Sequence, residues 1–104
     1  MLSDEERDRL LETRPHRTIK KDHIENLIAK REFMVIDGGT LTICVLTLKN
    51  GFQVTGESAC AHPGNFNVLL GEKIAYDKAF DKIWPLEGYL LKEVLYQESL
   101  KQAQ

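Results

Sequence analysis

The dipeptide Asn50-Gly51 constrains this chain more than any other feature. Before it runs Thr-Leu-Thr-Ile-Cys-Val-Leu-Thr-Leu at residues 40–48, dense in β-branched side chains, and after it Phe52-Gln53-Val54-Thr55. Both central residues of a type I′ turn need positive φ, which Asn-Gly supplies, so a β-hairpin is predicted. A two-residue loop sets Lys49 opposite Phe52, Cys44 opposite Glu57 and Cys60 opposite Leu41, which disfavours a Cys44–Cys60 bridge. Leu41, Ile43 and Val45 occupy one face of the leading strand and Cys44, Leu46 and Leu48 the other, the pattern of a strand buried on both sides.

The flanking segments supply the remaining layers. Thr18 offers an N-cap, and Ile24, Leu27, Ile28 and Arg31 follow at spacings of three and four, predicting a short amphipathic helix. Phe33-Met34-Val35-Ile36 breaks that period and precedes the turn cluster Asp37-Gly38-Gly39, so it reads as the first strand. After the loop Ala61-His62-Pro63-Gly64, either Asn65 or Asn67 can cap a helix with Leu70, Ile74, Tyr76, Ala79, Phe80, Ile83 and Trp84 on its apolar side. Pro85 suits the first turn of a further helix carrying Leu86, Leu90, Leu91, Val94 and Leu95, with the chain turning at Trp84-Pro85.

The expected fold is α+β: a small antiparallel sheet of about three strands, covered by an N-terminal helix and two C-terminal helices. Residues 1–17 form a charged arm, 18–96 a single domain and 97–104 a polar tail expected to fray. Such a sheet has open edges and more apolar surface than two or three helices cover, so self-association is expected.

At 104 residues there is room for one core, which excludes a multidomain enzyme. Fourteen Lys and Arg against sixteen Asp and Glu give a net charge of −2, so no global attraction to a nucleic-acid polymer or an anionic membrane is expected. There is no apolar run of membrane-spanning length, and the acidic start lacks the basic-then-apolar order of a signal peptide. With only two cysteines, the expectation is a cytoplasmic protein with free thiols.

Catalytic patterns are sparse. His16, His23 and His62 lie in separate segments, and neither cysteine has a CxxC partner, so no metal site or cofactor is implied. Cys60 and His62 are a conceivable nucleophile pair, but a packed thiol beside a solvated histidine is the simpler reading. Gly51, Gly56 and Gly64 match no phosphate-cradling loop and read more simply as a turn, a bulge or close packing; Gly56, inside a strand, marks a bulge where a ligand or a second backbone approaches, a bulge without a ligand being the commoner case. Phe66, Tyr76, Phe80, Trp84 and Tyr89 are interleaved with Lys73, Lys78, Lys82 and Lys92, a mixture able to stack a base and meet its phosphates. Phe80 and Trp84 read as structural, whereas Phe66 and Tyr76 are the better ligand candidates. The helix start near Asn67 offers unpaired N–H groups to an anion.

The stretch Leu46-Thr47-Leu48-Lys49-Asn50-Gly51-Phe52-Gln53-Val54-Thr55-Gly56-Glu57-Ser58-Ala59-Cys60, followed by Asn65-Phe66, resembles the phage gene-49/gene-66 family. Gly71-Glu72-Lys73-Ile74-Ala75-Tyr76 and Ile83-Trp84-Pro85-Leu86-Glu87-Gly88-Tyr89-Leu90-Leu91 look like its second signature. This resemblance implies a phage or prophage origin and brings no biochemistry with it. A looser resemblance is to the phage Thoeris anti-defence proteins, which sequester cyclic nucleotide immune signals as dimers and higher oligomers. It implies that Phe66 stacks on the ligand, that Arg14 or Arg17 supplies a cation from the arm, and that Lys78 or Lys92 supplies polar contacts from the helices. A lysine at Lys92 would neutralise phosphate without the bidentate fork of an arginine.

The function expected on these grounds is a non-enzymatic phage anti-defence protein in the cytoplasm of the infected bacterium. It would act as a homo-oligomer, a dimer or trimer of dimers, that binds a cyclic ADP-ribose isomer or cyclic oligonucleotide without cleaving it. The alternative is an interaction module that inhibits a host protein through the sheet edge or the strand after Asn50-Gly51. An enzyme degrading a nucleotide signal would need a general base among Glu57, His62 and Asp77.

Overall fold

A computed structural model describes residues 1–12 and 17–103. The order is α1 (Asp4–Glu12), α2 (Lys21–Leu27), β1 (Ile28–Val35), β2 (Leu41–Leu48), β3 (Gln53–Ala59), a 3-10 turn at Pro63–Asn65, α3 (Val68–Asp81) and α4 (Ile83–Gln102). The strands form one antiparallel sheet in the order β1-β2-β3. The expected α+β class and the strand count therefore hold.

Ser3 and Glu6 start α1 with reciprocal bonds: the Glu6 amide donates to Ser3 Oγ at 3.1 Å and the Ser3 amide to Glu6 Oε1 at 3.2 Å. This is a capping box, and the two bonds hold the Glu6 carboxyl below its ordinary pKa. The next helix differs from expectation at both ends. Its N-cap is Lys20 without a side-chain bond, not Thr18, and it ends at Leu27. Ile28 already belongs to β1, so Arg31 lies on a strand, and the first strand begins five residues before Phe33. The three-and-four spacing of Ile24, Leu27, Ile28 and Arg31 straddles a helix-to-strand junction.

The hairpin between β2 and β3 forms, shifted by one residue from the expected pairing. Gly51 alone in this loop has positive φ, at 91°. The loop contains Lys49, Asn50 and Gly51, closed by bonds from Gly51 N to Leu48 O and from Leu48 N to Phe52 O, each 2.8 Å. This is the three-residue form in which a type I turn is followed by a left-handed glycine. Cys44 therefore pairs with Gly56 and Leu41 with Ala59, and the Cys60 amide bonds Thr40 O at 3.1 Å. Cys44 and Cys60 are free thiols.

Because paired residues share a face, this register gathers Thr42, Cys44, Leu46, Leu48, Val54 and Gly56 on one side of the sheet, where all are buried. Ile24 of α2, Ala75, Ala79 and Phe80 of α3 and Ile83 of α4 complete the core, with Phe33 and Trp84 packed against it. Contrary to the expectation of two buried faces, Leu41, Ile43 and Val45 on the opposite face are only half-buried. Among the described residues no helix layer covers that side.

Asn67 caps α3, its Oδ1 accepting from Leu70 N at 3.0 Å. α3 crosses the sheet over Gly56, where a Cβ would overlap the Ala75 carbonyl oxygen and the Ala79 nitrogen. Pairing runs through Gly56 without a register shift, so this glycine admits a second backbone, and there is no bulge. The break between the last two helices falls at Lys82, not at Trp84-Pro85. Lys82 keeps right-handed helical torsions (φ −72°, ψ −19°), so α3 and α4 are joined by a kink without a reversal. Pro85 accounts for it: the residue cannot donate to the Asp81 carbonyl, and its ring crowds that group. α4 then continues to Gln102, so most of the expected fraying tail is helical; Gln97 there donates to Glu93 at 2.9 Å. α4 packs on α2 and α3, and the radius of gyration is 17.8 Å, against about 13 Å for a compact chain of this length.

Candidate ligand groove

Two open grooves flank the helices. The larger, about 560 Å³, lies between residues 17–26 and α4. Arg17 pairs there with Glu98 and His23 Nε2 lies 3.3 Å from Glu87, while Lys20 has no ion-pair partner among the described residues. An anion meeting Arg17 would have to displace the Glu98 carboxylate.

The second groove, about 390 Å³, is formed by α2, β1 and α3. Phe33, Tyr76 and Phe80 line it, with Tyr76 and Phe80 in ring contact at 5.9 Å. The Arg31 guanidinium sits 5.8 Å from the Tyr76 ring centroid and Lys73 Nζ 5.9 Å from it. A cation over an aromatic face is attracted by the ring quadrupole, which orders both groups without consuming the positive charge. Lys73 also donates to Asp77 at 2.7 Å, a bond that raises its pKa above the ordinary lysine value. Arg31 has no carboxylate within ion-pair distance among the described residues. Burial pushes the Tyr76 phenol up, so the ring is neutral at physiological pH. Lys21, Glu25, Glu72 and Asp77 complete the lining. Acids and bases are thus balanced, which suits a compact ligand with a few charges better than a polyanion.

The site residues expected from sequence do not meet in one place. Tyr76 lines the second groove and Arg17 the first. Neither groove includes Phe66, Asn67, Lys78 or Lys92 in its lining. Phe66 is half-buried just before α3, and Asn67 has its side-chain oxygen committed to the helix cap. Nine residues separate Asn67 from Tyr76, or about 13 Å along a helix axis. Lys78 and Lys92 are exposed on α3 and α4. Arg14 falls outside the described residues. Arg31, Phe33 and Lys21 were not anticipated: Arg31 had been assigned to a helix face, and only its strand position aims it at Tyr76. The Lys73–Tyr76 spacing of three on one helix was the legible part of this arrangement.

Cys60 does not engage an imidazole. Its Sγ lies 3.1 Å from the His62 carbonyl oxygen, while His62 Nδ1 accepts from Gly64 N at 2.9 Å. Among the described residues there is no group of three or more His, Cys, Asp or Glu able to hold a metal ion, and no helix is long and apolar enough to cross a membrane.

No curated protein and no solved structure matches this chain. The model of the Phage protein (N4 Gp49/phage Sf6 gene 66) family matches residues 19–95, from the segment entering α2 to the middle of α4. The stretch includes the whole sheet, α3 and every residue lining the Tyr76 groove, and the chain belongs to that family of phage proteins.

Proposed function

We propose that this phage protein binds a cyclic nucleotide signal and holds it without cleaving it, with the ligand in the groove of Arg31 and Tyr76. The observation that carries this reading is an arginine without a carboxylate partner, ordered over an exposed part of an aromatic ring in an open groove. A nucleobase stacks on Tyr76 or Phe33, the guanidinium takes a phosphate by its bidentate fork, and Lys73 and Lys21 add positive charge at the rim. Sequestration needs only this binding, with retention of the ligand serving as the activity.

The test is a thermal-shift screen against cyclic ADP-ribose isomers and cyclic di- and trinucleotides, followed by chromatography of the compound released on heating. A ligand at 100 times its Kd adds roughly 2.7 kcal/mol, a shift easily read. Stabilisation with intact release is the expected outcome; a chemically altered product would instead identify an enzyme.

A second reading, inhibition of a host protein, is favoured by the uncovered sheet face of Leu41, Ile43 and Val45 and by Phe52, 54% exposed beside the edge strand β3. It predicts host-protein capture that is lost with Phe52→Ser and indifferent to Arg31→Ala.

A further inference from the structure

The strand register fixes what the uncovered face of the sheet presents. Met34, Ile43 and Glu57 form one row across it, Glu32, Val45 and Thr55 the next, and Leu41 with Ala59 lies beyond Ile43. Ile36 joins that last row through its amide bond to Leu41 O. Met34 is 49% exposed and Ile36 44%, while Leu41, Ile43 and Val45 are half-buried, so an apolar strip runs along β2. From Leu41 to Val45 it extends about 14 Å, the length of about nine helical residues. Glu32 on β1 and Glu57 on β3 stand on either side of the strip. Two strand spacings put those edge strands about 10 Å apart, the diameter of one α-helix. Glu32 holds Lys30 at 3.5 Å. Glu57 has no ion-pair partner among the described residues, and neither has Asp37, in the turn beyond Leu41. Lys49 lies in the hairpin loop at the other end of β2.

We propose that this face docks an amphipathic α-helix of a host protein, its apolar stripe on Leu41, Ile43 and Val45 and its lysines or arginines on both flanks, meeting Glu32 and Glu57. A sheet with helices on one face only is completed by a helix on the other. The helix dipole gives the direction, with the partner's N-terminus toward Asp37 and its C-terminus toward Lys49. The same charges turn away the arm helix of a second copy: α1 carries Asp4, Glu5, Glu6, Asp8 and Glu12 against Arg7 and Arg9. This inference rests on the second reading above, inhibition of a host protein, and supplies the chemistry of the partner.

The experiment places a photo-activated cross-linking residue in the full chain at Ile43, at Thr55 on the same face and at Phe52 beside the edge, one position at a time. Each variant is expressed in the host bacterium and irradiated, and the cross-linked peptides are sequenced by mass spectrometry; circular dichroism shows that the helices are kept. Ile43 and Thr55 should capture the same host segment, with apolar residues at helical spacing and cations on both flanks. That segment, made as a synthetic peptide, should bind the purified chain, and Glu32→Lys and Glu57→Lys should each raise its Kd by about tenfold or more. Capture at Phe52 alone would keep the host-protein reading and overturn the docked helix, whereas capture at none of the three positions would overturn both. A second copy of this chain captured at Ile43 and Thr55, a segment without flanking cations, or a peptide indifferent to both charge reversals would each overturn the proposal.

Discussion

Gly56 on β3 and Ala79 on α3 meet backbone to backbone, so closely that a Cβ on Gly56 would overlap the Ala79 nitrogen and the Ala75 carbonyl oxygen. Neither obstacle is a flexible side-chain end that could swing aside. Gly56→Ala must therefore push α3 off the sheet and should cost about 3 kcal/mol or more, at the upper end of overpacking penalties. Urea unfolding monitored by circular dichroism checks this; a loss below about 1 kcal/mol would mean that the helix can rise from the sheet with little effect.

Thr42 invites the opposite experiment. Its hydroxyl is fully buried and has no hydrogen-bond partner among the described residues, facing Gly71 across the sheet–helix interface. Thr42→Val keeps the shape and removes the unsatisfied oxygen, so it should stabilise the chain by about 1 kcal/mol. Thr42→Val melting at or below the wild-type temperature would contradict this.

Ligand binding separates the two candidate rings. Arg31→Ala alters an exposed strand position and should leave the melting temperature of the free protein nearly unchanged while lowering affinity for a bound cyclic nucleotide by about tenfold or more, the loss of a charge-assisted bond. Tyr76→Phe should bind within about threefold of wild type, because the stacking face remains. Isothermal titration of both, beside Phe66→Ala, identifies the ring in contact. Loss of affinity confined to Phe66→Ala would move the site to the start of α3.

Stability should fall on the alkaline side. Burial raises the thiol of Cys44 and the phenol of Tyr76, the latter from an ordinary value of 10.0. As pH rises through 9 to 10, these groups ionise first in the unfolded chain, which then binds fewer protons than the folded one, so unfolding becomes more favourable. Their contribution is complete below that range and is lost above it. Melting curves from pH 7 to 11 should show a decline that lessens in Tyr76→Phe. In the same range a thiol reagent should modify Cys60, half-buried, well before Cys44, which is fully buried; equal rates would contradict the packing of Cys44 against Gly56 and α3.

The order of elements was legible because each segment repeats its apolar residues with the right period: two in β2, three and four in α3. Phe80 and Trp84 could be assigned to structure for the same reason; the cap was legible only as Asn65 or Asn67, and it is Asn67 whose side chain satisfies an otherwise unpaired N–H. The hairpin register was not legible. Asn-Gly fits both a two-residue loop and a three-residue loop with Gly51 left-handed, and the choice shifts every cross-strand partner by one. Nor was the start of β1, since Ile28 and Arg31 prolong a helical spacing into a strand. That one misassignment hid the groove, because Arg31 and Tyr76 are distant in sequence and meet only when β1 and α3 pack on the same sheet face. The turn expected at Trp84-Pro85 falls instead at Lys82, because proline, early in a helix, bends the chain one turn before itself.

α2 passes into β1 with no residue between them, and the Leu27 carbonyl at the junction is held by the Lys49 amide of the hairpin loop at 2.9 Å. There is consequently no slack in which a displacement of α2 can dissipate. Lys21 on one flank of α2 and His23 on the other thus stand on a helix tied directly into the hydrogen-bonded frame of the sheet.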